Sequence, residues 1–250
     1  MRTELNFNAD IALENIKGGK GVFSQNRFLN SQQCSELRTL ADSFETDRFG
    51  TVRGLLNKSD LFTKLLMSPS IKKLAEGYFQ SPFRLGSLDI KIEGKVTDLT
   101  KPLRPHVDYP GAGGLGLITG VNSPLFGLPL SLKLFIPLTD LTIDNGATAY
   151  VPYSYRFHDD PSKHPEKFEA AIASGHVERL IVPEGTLNIW TGAMWHADLH
   201  NTTDRQRYLL HICLVPVHIV PPHDILATYG QSWLKQQSEE VQAICGLHDT

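Results

Sequence analysis

The sequence predicts a mainly β domain, an antiparallel sandwich or barrel, with helices before it and one helix after it. From Pro82 onward the apolar residues fall in short or alternating runs separated by Gly, Pro, Asn and Asp. Runs of that kind, bounded by turn residues and without a long helical period, are what an antiparallel sandwich or barrel requires. Before Pro82 the apolar residues recur at helical spacing behind serine and asparagine caps. A chain of 250 residues with no break in composition fits one large domain with helical additions better than two independent ones.

Taken in order, Asn30 or Ser31 caps a helix that runs through Asp42, with Leu37, Leu40 and Ala41 on one face. A second helix follows Ser59, striped by Leu61, Phe62, Leu65 and Leu66. A third starts at Ser68-Pro69-Ser70, where a serine cap and an early proline mark a helix start, and continues through Ile71, Leu74 and Tyr78. The predicted strands are Leu85 to Ile92, Leu130 to Leu138, Thr148 to Val151, Leu180 to Val182, Thr186 to Trp190 and Arg207 to Val217. Asp144-Asn145-Gly146 and Pro183-Glu184-Gly185 are turns. Tyr109 to Pro129, rich in Gly and Pro, is a long loop of the kind that forms lids, and its Gly111-Ala112-Gly113-Gly114 lacks the Lys-Ser/Thr helix start of a phosphate loop. Ile225 to Ile244 reads as a terminal helix.

Composition narrows the function classes. Hydrophobic residues at 41% allow a substantial core, and a net charge of -3 with scattered lysine and arginine argues against nucleic acid or an anionic membrane as partner. Cys34, Cys213 and Cys245 form neither a C-x-x-C pair nor a disulfide framework, so free thiols are expected. Met1 to Lys20 has no apolar core of a signal peptide, and no apolar run reaches membrane-spanning length. A soluble protein of the reducing cytoplasm is the expectation.

The chemistry centres on His106-Val107-Asp108. In an extended segment residues i and i+2 share a face, so the two side chains can reach one ion. Imidazole with carboxylate suits iron(II) once a further histidine completes a face of the octahedron. His158-Asp159-Asp160 repeats the pattern, but in a polar stretch leading into Pro161, and reads as a solvated loop. Downstream, Gly185 to Trp190 reads as a strand, Trp195-His196 follows, and then come Asn201 and Arg207, the arginine eleven residues past the histidine.

In the order of these motifs the chain resembles the phytanoyl-CoA dioxygenase-like family of iron(II)- and 2-oxoglutarate-dependent oxygenases. The resemblance rests on the H-x-D, on Pro137-Leu138-Thr139-Asp140, and on Asn145-Gly146-Ala147-Thr148 leading to Val151-Pro152. It rests also on the glycine-started strand before His196, on Asn201 and on Arg207, and covers roughly Gly21 to Val217. It implies a double-stranded β-helix (jelly-roll, cupin-like) core over residues 82–217, between a helical part over 1–81 and a helical extension over 218–250. It implies His106, Asp108 and His196 as the metal ligands, Fe(II) as the metal, and 2-oxoglutarate and dioxygen as co-substrates. Arg207 would pair bidentately with the far carboxylate of the keto acid, with Lys133 and Thr148 as further co-substrate contacts. The chain departs from the family in Tyr153-Ser154-Tyr155, where Gly-Ser-His is usual, and in Leu209, where a small or hydroxyl residue is usual.

Several residues keep two readings. His200 competes with His196 as distal ligand, and the spacing to Asn201 and Arg207 favours His196. Lys133 lies inside the run Leu132 to Leu138, and the period-two pattern leaves open whether it snorkels outward or meets an anion inside; Lys91 poses the same question. His211 shares parity with Arg207 and reads as an interior histidine, and Trp190 and Trp195 as core or pocket wall. The expected reaction is hydroxylation of a small organic molecule with release of succinate and carbon dioxide; desaturation, epimerisation and cyclisation begin with the same step. The rivals are a cupin-like metal-dependent isomerase or hydrolase, and a module that binds 2-oxoglutarate without oxidation. Asp108 disfavours halogenation, which needs a small residue at that position.

Overall fold

In the computed structural model, which describes residues 5–108, 130–157 and 159–247, nine strands form two antiparallel sheets. They are β1 (Val22–Gln25), β2 (Thr51–Val52), β3 (Phe83–Glu93), β4 (Leu132–Pro137), β5 (Thr148–Tyr150), β6 (Glu178–Arg179), β7 (Leu187–Thr191), β8 (His196–Asp198) and β9 (Arg207–Pro216). The large sheet runs β1-β7-β4-β9-β3-β2 and the small one β6-β5-β8. This is the predicted fold class, an antiparallel β core with helices added.

Alternation gives the large sheet two unlike faces. Leu132, Leu134 and Ile136 of β4, Leu210, Ile212 and Leu214 of β9, and Leu88 and Ile90 of β3 join the main core with the helices. Each such leucine or isoleucine, removed from water, contributes about 2 kcal/mol. Residues of opposite parity (Phe135, Trp190 and Leu209) meet Tyr150 of the small sheet in a second cluster, so the two sheets face each other across it. A bulge in β3 sets which residues join that inner face. The register with β9 shifts between Leu85 and Ser87, so Leu85 stays in the helix-side core while Ser87, Asp89 and Lys91 turn inward. The residue at the bulge is Gly86, where a Cβ would stand 3.0 Å from Cys213 Sγ and 3.2 Å from the Cys213 carbonyl oxygen.

The helices are α1 (Ala9–Lys17), α2 (Ser31–Asp42), α3 (Asp60–Leu66), α4 (Pro69–Phe79), α5 (Pro165–Ala173), α6 (Ile225–Tyr229), α7 (Gln231–Leu234) and α8 (Glu239–Ile244). The Asn30 cap closes a capping box with Gln33, both bonds at 2.9 Å. The expected terminal helix is three short ones. Gly230 adopts φ 76°, which no helix can continue, and Ser238 recaps the chain for α8. The predicted strand Leu180 to Val182 is also displaced: β6 is Glu178–Arg179, and Val182 makes only an isolated bridge with Leu141. Helices α1 and α5 and strands β1 and β2 were not legible beforehand; β1 is an edge strand that owes its conformation to β7.

Cys34, Cys213 and Cys245 are free and buried. Among the described residues no helix is long and apolar enough to cross a membrane. The predicted lid, Tyr109 to Pro129 with its glycine run, lies outside the described residues, as does His158. Asp160, expected in solvent, is buried, where its carboxylate accepts from the amide and hydroxyl of Ser162 at 2.9 and 2.7 Å.

Candidate metal centre

His106 belongs to neither sheet, yet its backbone is fixed. Its N–H donates to the His196 carbonyl at 2.9 Å and its carbonyl accepts from the His196 N–H at 3.0 Å, while the Asp108 N–H donates to the Gly192 carbonyl at 2.8 Å. The H-x-D segment therefore lies extended along the start of β8, and the alternation of an extended chain turns His106 and Asp108 to one side. There they meet His196. One ligand atom from each of the three lies within 4.8 Å of the others, a cluster that can hold a metal ion. His200 is not part of it.

The histidine rings are oriented by their own backbones. Nδ1 of His106 lies 2.9 Å from the Arg104 carbonyl oxygen and Nδ1 of His196 lies 3.0 Å from that of Met194. A carbonyl only accepts, so each Nδ1 carries the proton and each Nε2 keeps its lone pair for a metal. Burial first, and then the neighbouring His106, pull the His196 pKa down to about 4, so the ring is neutral at neutral pH, the form a metal requires.

Asp108 is surrounded by donors. Trp190 Nε1 donates to Oδ2 at 3.3 Å, and Lys133 Nζ stands 3.5 Å from Oδ1 with 13% of its side chain exposed. Burial pushes the carboxyl upward, but Lys133 and the two histidines outweigh it and hold Asp108 well below the usual carboxylate range. Lys133 is therefore an inward lysine. Its pKa, lowered by burial, is raised on balance by Asp108 and the Cys213 thiol.

Arg207 is fully buried at the start of β9. Its Nη1 donates to the Gly146 carbonyl, and its Nη2 pairs with Glu93 and lies 3.3 Å from Asp198 Oδ1. Lys91 Nζ holds the same two acids, at 2.6 Å from Glu93 Oε1 and 2.6 Å from Asp198 Oδ2, and Thr148 Oγ1 donates to Asp198 Oδ1 at 3.0 Å. Two cations and two anions thus close a neutral cluster. Gly146 is required for it: at φ 84° a side chain is disfavoured, and a Cβ would lie 2.5 Å from the Leu199 carbonyl oxygen. Asn201 ties the cluster together, donating to the carbonyls of Glu93 and Arg205 at 3.2 and 2.8 Å.

Of the residues singled out from sequence, His106, Asp108 and His196 come together, and Lys133 and Trp190 touch Asp108. Arg207, Thr148 and Lys91 meet in the ionic cluster, and His211 lines a cavity with Asp108 and Lys133. Trp195 instead packs between α5 and the small sheet, donating to the Asp159 carbonyl at 2.9 Å. Sequence reasoning missed Asp198, Glu93 and Asp89. Each had a signal, since Asp198 is two residues past His196, and Glu93 and Asp89 share parity with Lys91.

Two imidazoles with Nε2 turned to one point and a carboxylate held anionic are a donor set that fits Fe(II). The Arg207 Nε, buried and without a hydrogen-bond partner, is a donor that a bound carboxylate can satisfy. The triad and the buried arginine thus sit in an antiparallel β core with helices added, the arrangement that the resemblance in the sequence implies. The chain belongs to the phytanoyl-CoA dioxygenase (PhyH) family, whose sequence profile matches residues 26–208. It is 30% identical over 92 residues to the dioxygenase cdmA of Talaromyces verruculosus, an alignment that spans 37% of this chain and only 29% of that protein. Its fold is similar to that of the non-heme alpha-ketoglutarate-dependent epimerase SnoN from nogalamycin biosynthesis, with TM-score 0.59 and 20% identity over 83% of this chain and 80% of that one. It is similar too to apo HygX from Streptomyces hygroscopicus, with TM-score 0.61 and 15% identity over 81% of this chain and 84% of that one.

Proposed function

We propose that this oxygenase hydroxylates a small organic molecule at carbon, consuming 2-oxoglutarate and dioxygen and releasing succinate and carbon dioxide. The observation that carries the proposal is the convergence of His106, Asp108 and His196, with both histidine Nδ1 atoms tied to backbone and both Nε2 atoms left for a metal. These three residues hold Fe(II) in this reading, and the metal supplies the activation of dioxygen and the oxidative decarboxylation of the keto acid.

The protein's own groups do the rest. Trp190 and Lys133 fix the Asp108 carboxylate, so the ligand enters the site with its geometry set. Arg207 provides a permanent buried cation for the far carboxylate of 2-oxoglutarate, with Thr148 beside it. Lys133, next to a metal ligand, provides a second cation close to the reacting end. Phe135, Trp190 and Tyr150 exclude water from the space between the sheets.

Succinate formation tests the reading. Protein loaded with Fe(II) under air should convert 2-oxoglutarate to succinate, slowly without substrate and faster with it. A metal-bound protein that binds 2-oxoglutarate and never forms succinate would instead be a binding module. One that acts with Zn(II) and without dioxygen would be an isomerase or hydrolase.

A further inference from the structure

Beside Asp108 lies a cavity of 250 Å³ that opens between β3, β4 and β9. Its lining is unlike an acyl pocket. Lys133, Lys91, His211, Asp89, Arg53 and His223 present charged or polar groups to it, and Pro222 is the main apolar side chain in its lining. An alkyl chain placed there would strip water from those groups and return no hydrogen bond to any of them.

Asp89 faces two cationic side chains in this wall, yet one of its oxygens makes no hydrogen bond. It is 7% exposed, and its Oδ1 is buried with no hydrogen bond. Arg53 Nη1 and His223 Nδ1 both approach that oxygen, and both stop at 3.7 Å, outside hydrogen-bonding range. Arg53 is instead held by Asp47, at 3.0 Å, and by His223. Opposite Asp89 on the neighbouring strand stands His211, whose Nε2 is also buried and unpartnered. Its ring is kept in place by Phe135, edge to face at 4.5 Å. An acceptor and an imidazole nitrogen, both desolvated, therefore share one wall of a cavity that reaches a metal ligand. A buried polar group left without a hydrogen bond is costly, and a ligand carrying the complementary group recovers that cost.

We infer that this cavity is the substrate-recognition end of the site, and that it takes a small hydrophilic molecule bearing a hydrogen-bond donor, a hydroxyl or a protonated amine, seated on Asp89. This inference rests on the oxygenase reading above. It sets the chain apart from the substrate in its family's name, whose reacting part is an acyl chain. Asp89 acts as a specificity residue, His211 gives the substrate a second polar contact, and Arg53 and His223 form the rim.

The test is ligand-observed saturation-transfer NMR on the full chain loaded with Zn(II) and 2-oxoglutarate, which cannot turn over. Three probe sets are compared: neutral polyols and methyl glycosides, amino sugars and amino polyols, and straight-chain carboxylic acids. Replacing Zn(II) by Mn(II) broadens the signals of any probe held near the metal. A donor-bearing set should show metal-dependent broadening, and the straight-chain acids none. Asp89→Leu should weaken the bound donor set at least tenfold. Asp89→Asn separates the two donors: its amide oxygen still accepts from a hydroxyl but offers no charge to an amine, so amine binding falls tenfold and polyol binding falls less. Broadening of the straight-chain acids alone, or donor binding unchanged in a folded Asp89→Leu, overturns the inference. The 2-oxoglutarate signal is read in the same spectra. Its absence contradicts the oxygenase reading, whereas its presence with no Asp89-dependent probe contradicts this inference alone.

Discussion

The backbones of His106 and His196 exchange two hydrogen bonds, at 2.9 and 3.0 Å, although 89 residues lie between them. The bridge places the two imidazoles with ring centroids 4.2 Å apart. The candidate metal site is thus built on a main-chain pairing that survives truncation of either side chain. His106→Ala and His196→Ala should each fold and lose stoichiometric iron, because losing one ligand of three removes most of the affinity. His200→Ala should bind iron normally. Iron content after anaerobic loading and desalting reads this out, and full occupancy in His196→Ala with loss in His200→Ala would reverse the ligand assignment.

A second expectation follows from buried imidazole. Burial, with Lys91 next in importance, pulls the His211 pKa down to about 3, against an ordinary value near 6.5. Below about pH 6.5 the unfolded chain takes up a proton that folded His211 refuses, so stability falls as pH drops from there toward the folded value. Burial depresses His196 as well, to about 4, so the two share the window. Asp108 and Asp198 are held low and enter only below the ordinary carboxylate range. Denaturant midpoints of metal-free protein should therefore decline between about pH 7 and pH 5, and His211→Gln should flatten the decline without abolishing it. An equal slope in wild type and His211→Gln would contradict the assignment.

Two left-handed residues make a paired test. Gly146 sits at φ 84° with the Leu199 carbonyl where a Cβ would go, and its own carbonyl accepts from Arg207. Gly146→Ala should destabilise by at least about 2 kcal/mol, from the conformation and the clash together. Tyr153 adopts φ 64° with a full side chain, at the position where the family usually has glycine. Tyr153→Gly removes about 1 kcal/mol of conformational strain and adds a comparable chain-entropy term, so it should be neutral within about 1 kcal/mol. Ser154, whose hydroxyl accepts from the Trp195 amide at 2.8 Å, does the local work of the turn whichever residue precedes it. Chemical denaturation of the two variants measures both effects.

What the sequence showed and what it hid divide along physical lines. The triad was legible because i, i+2 parity is local and His196 opens a strand. The inward lysines were ambiguous because parity says which residues share a face but not which face is inside. For Lys91 the answer depended on the bulge at Gly86, where the close approach of Cys213 excludes a Cβ. The acids around Arg207 had only parity signals, because Glu93, Asp198 and Arg207 come from three strands: the antiparallel pairing of β3 with β9 sets Glu93 opposite Arg207, and the facing of the two sheets brings Asp198 of β8 to them. The continuous C-terminal helix failed at Gly230, whose positive φ ends a helix that the apolar spacing alone would extend.

The last expectation concerns that cluster, because it decides which cation receives the co-substrate. Arg207 is completely buried and already paired with Glu93 and Asp198, while Lys91 bonds the same acids. A dianionic keto acid whose far carboxylate docks on Arg207 must then compete with an internal carboxylate. The two acids are about equally exposed, at 23% and 25% of the side chain, but Asp198 is also held by Thr148, so Glu93 is the one that can swing away. Glu93→Gln should therefore tighten 2-oxoglutarate binding several-fold, since it removes the competing charge and leaves Arg207 in place. Arg207→Ala should raise the KM for 2-oxoglutarate by about two to three decades, the effect of breaking a buried pair from one side at about 3–5 kcal/mol. Arg207→Lys should recover only part of the loss, because a point charge cannot reproduce a two-pronged contact. Iron binding should stay near normal in all three. Succinate release against 2-oxoglutarate concentration, with iron content checked in parallel, supplies the measurement. Lys133→Ala belongs in the same series: with its ammonium 3.5 Å from Asp108 of the candidate site, Lys133 should meet only the metal-proximal end of the keto acid. A steep KM increase in Lys133→Ala with none in Arg207→Ala would turn the co-substrate around in the barrel and leave the Arg207 cluster a structural ion-pair network.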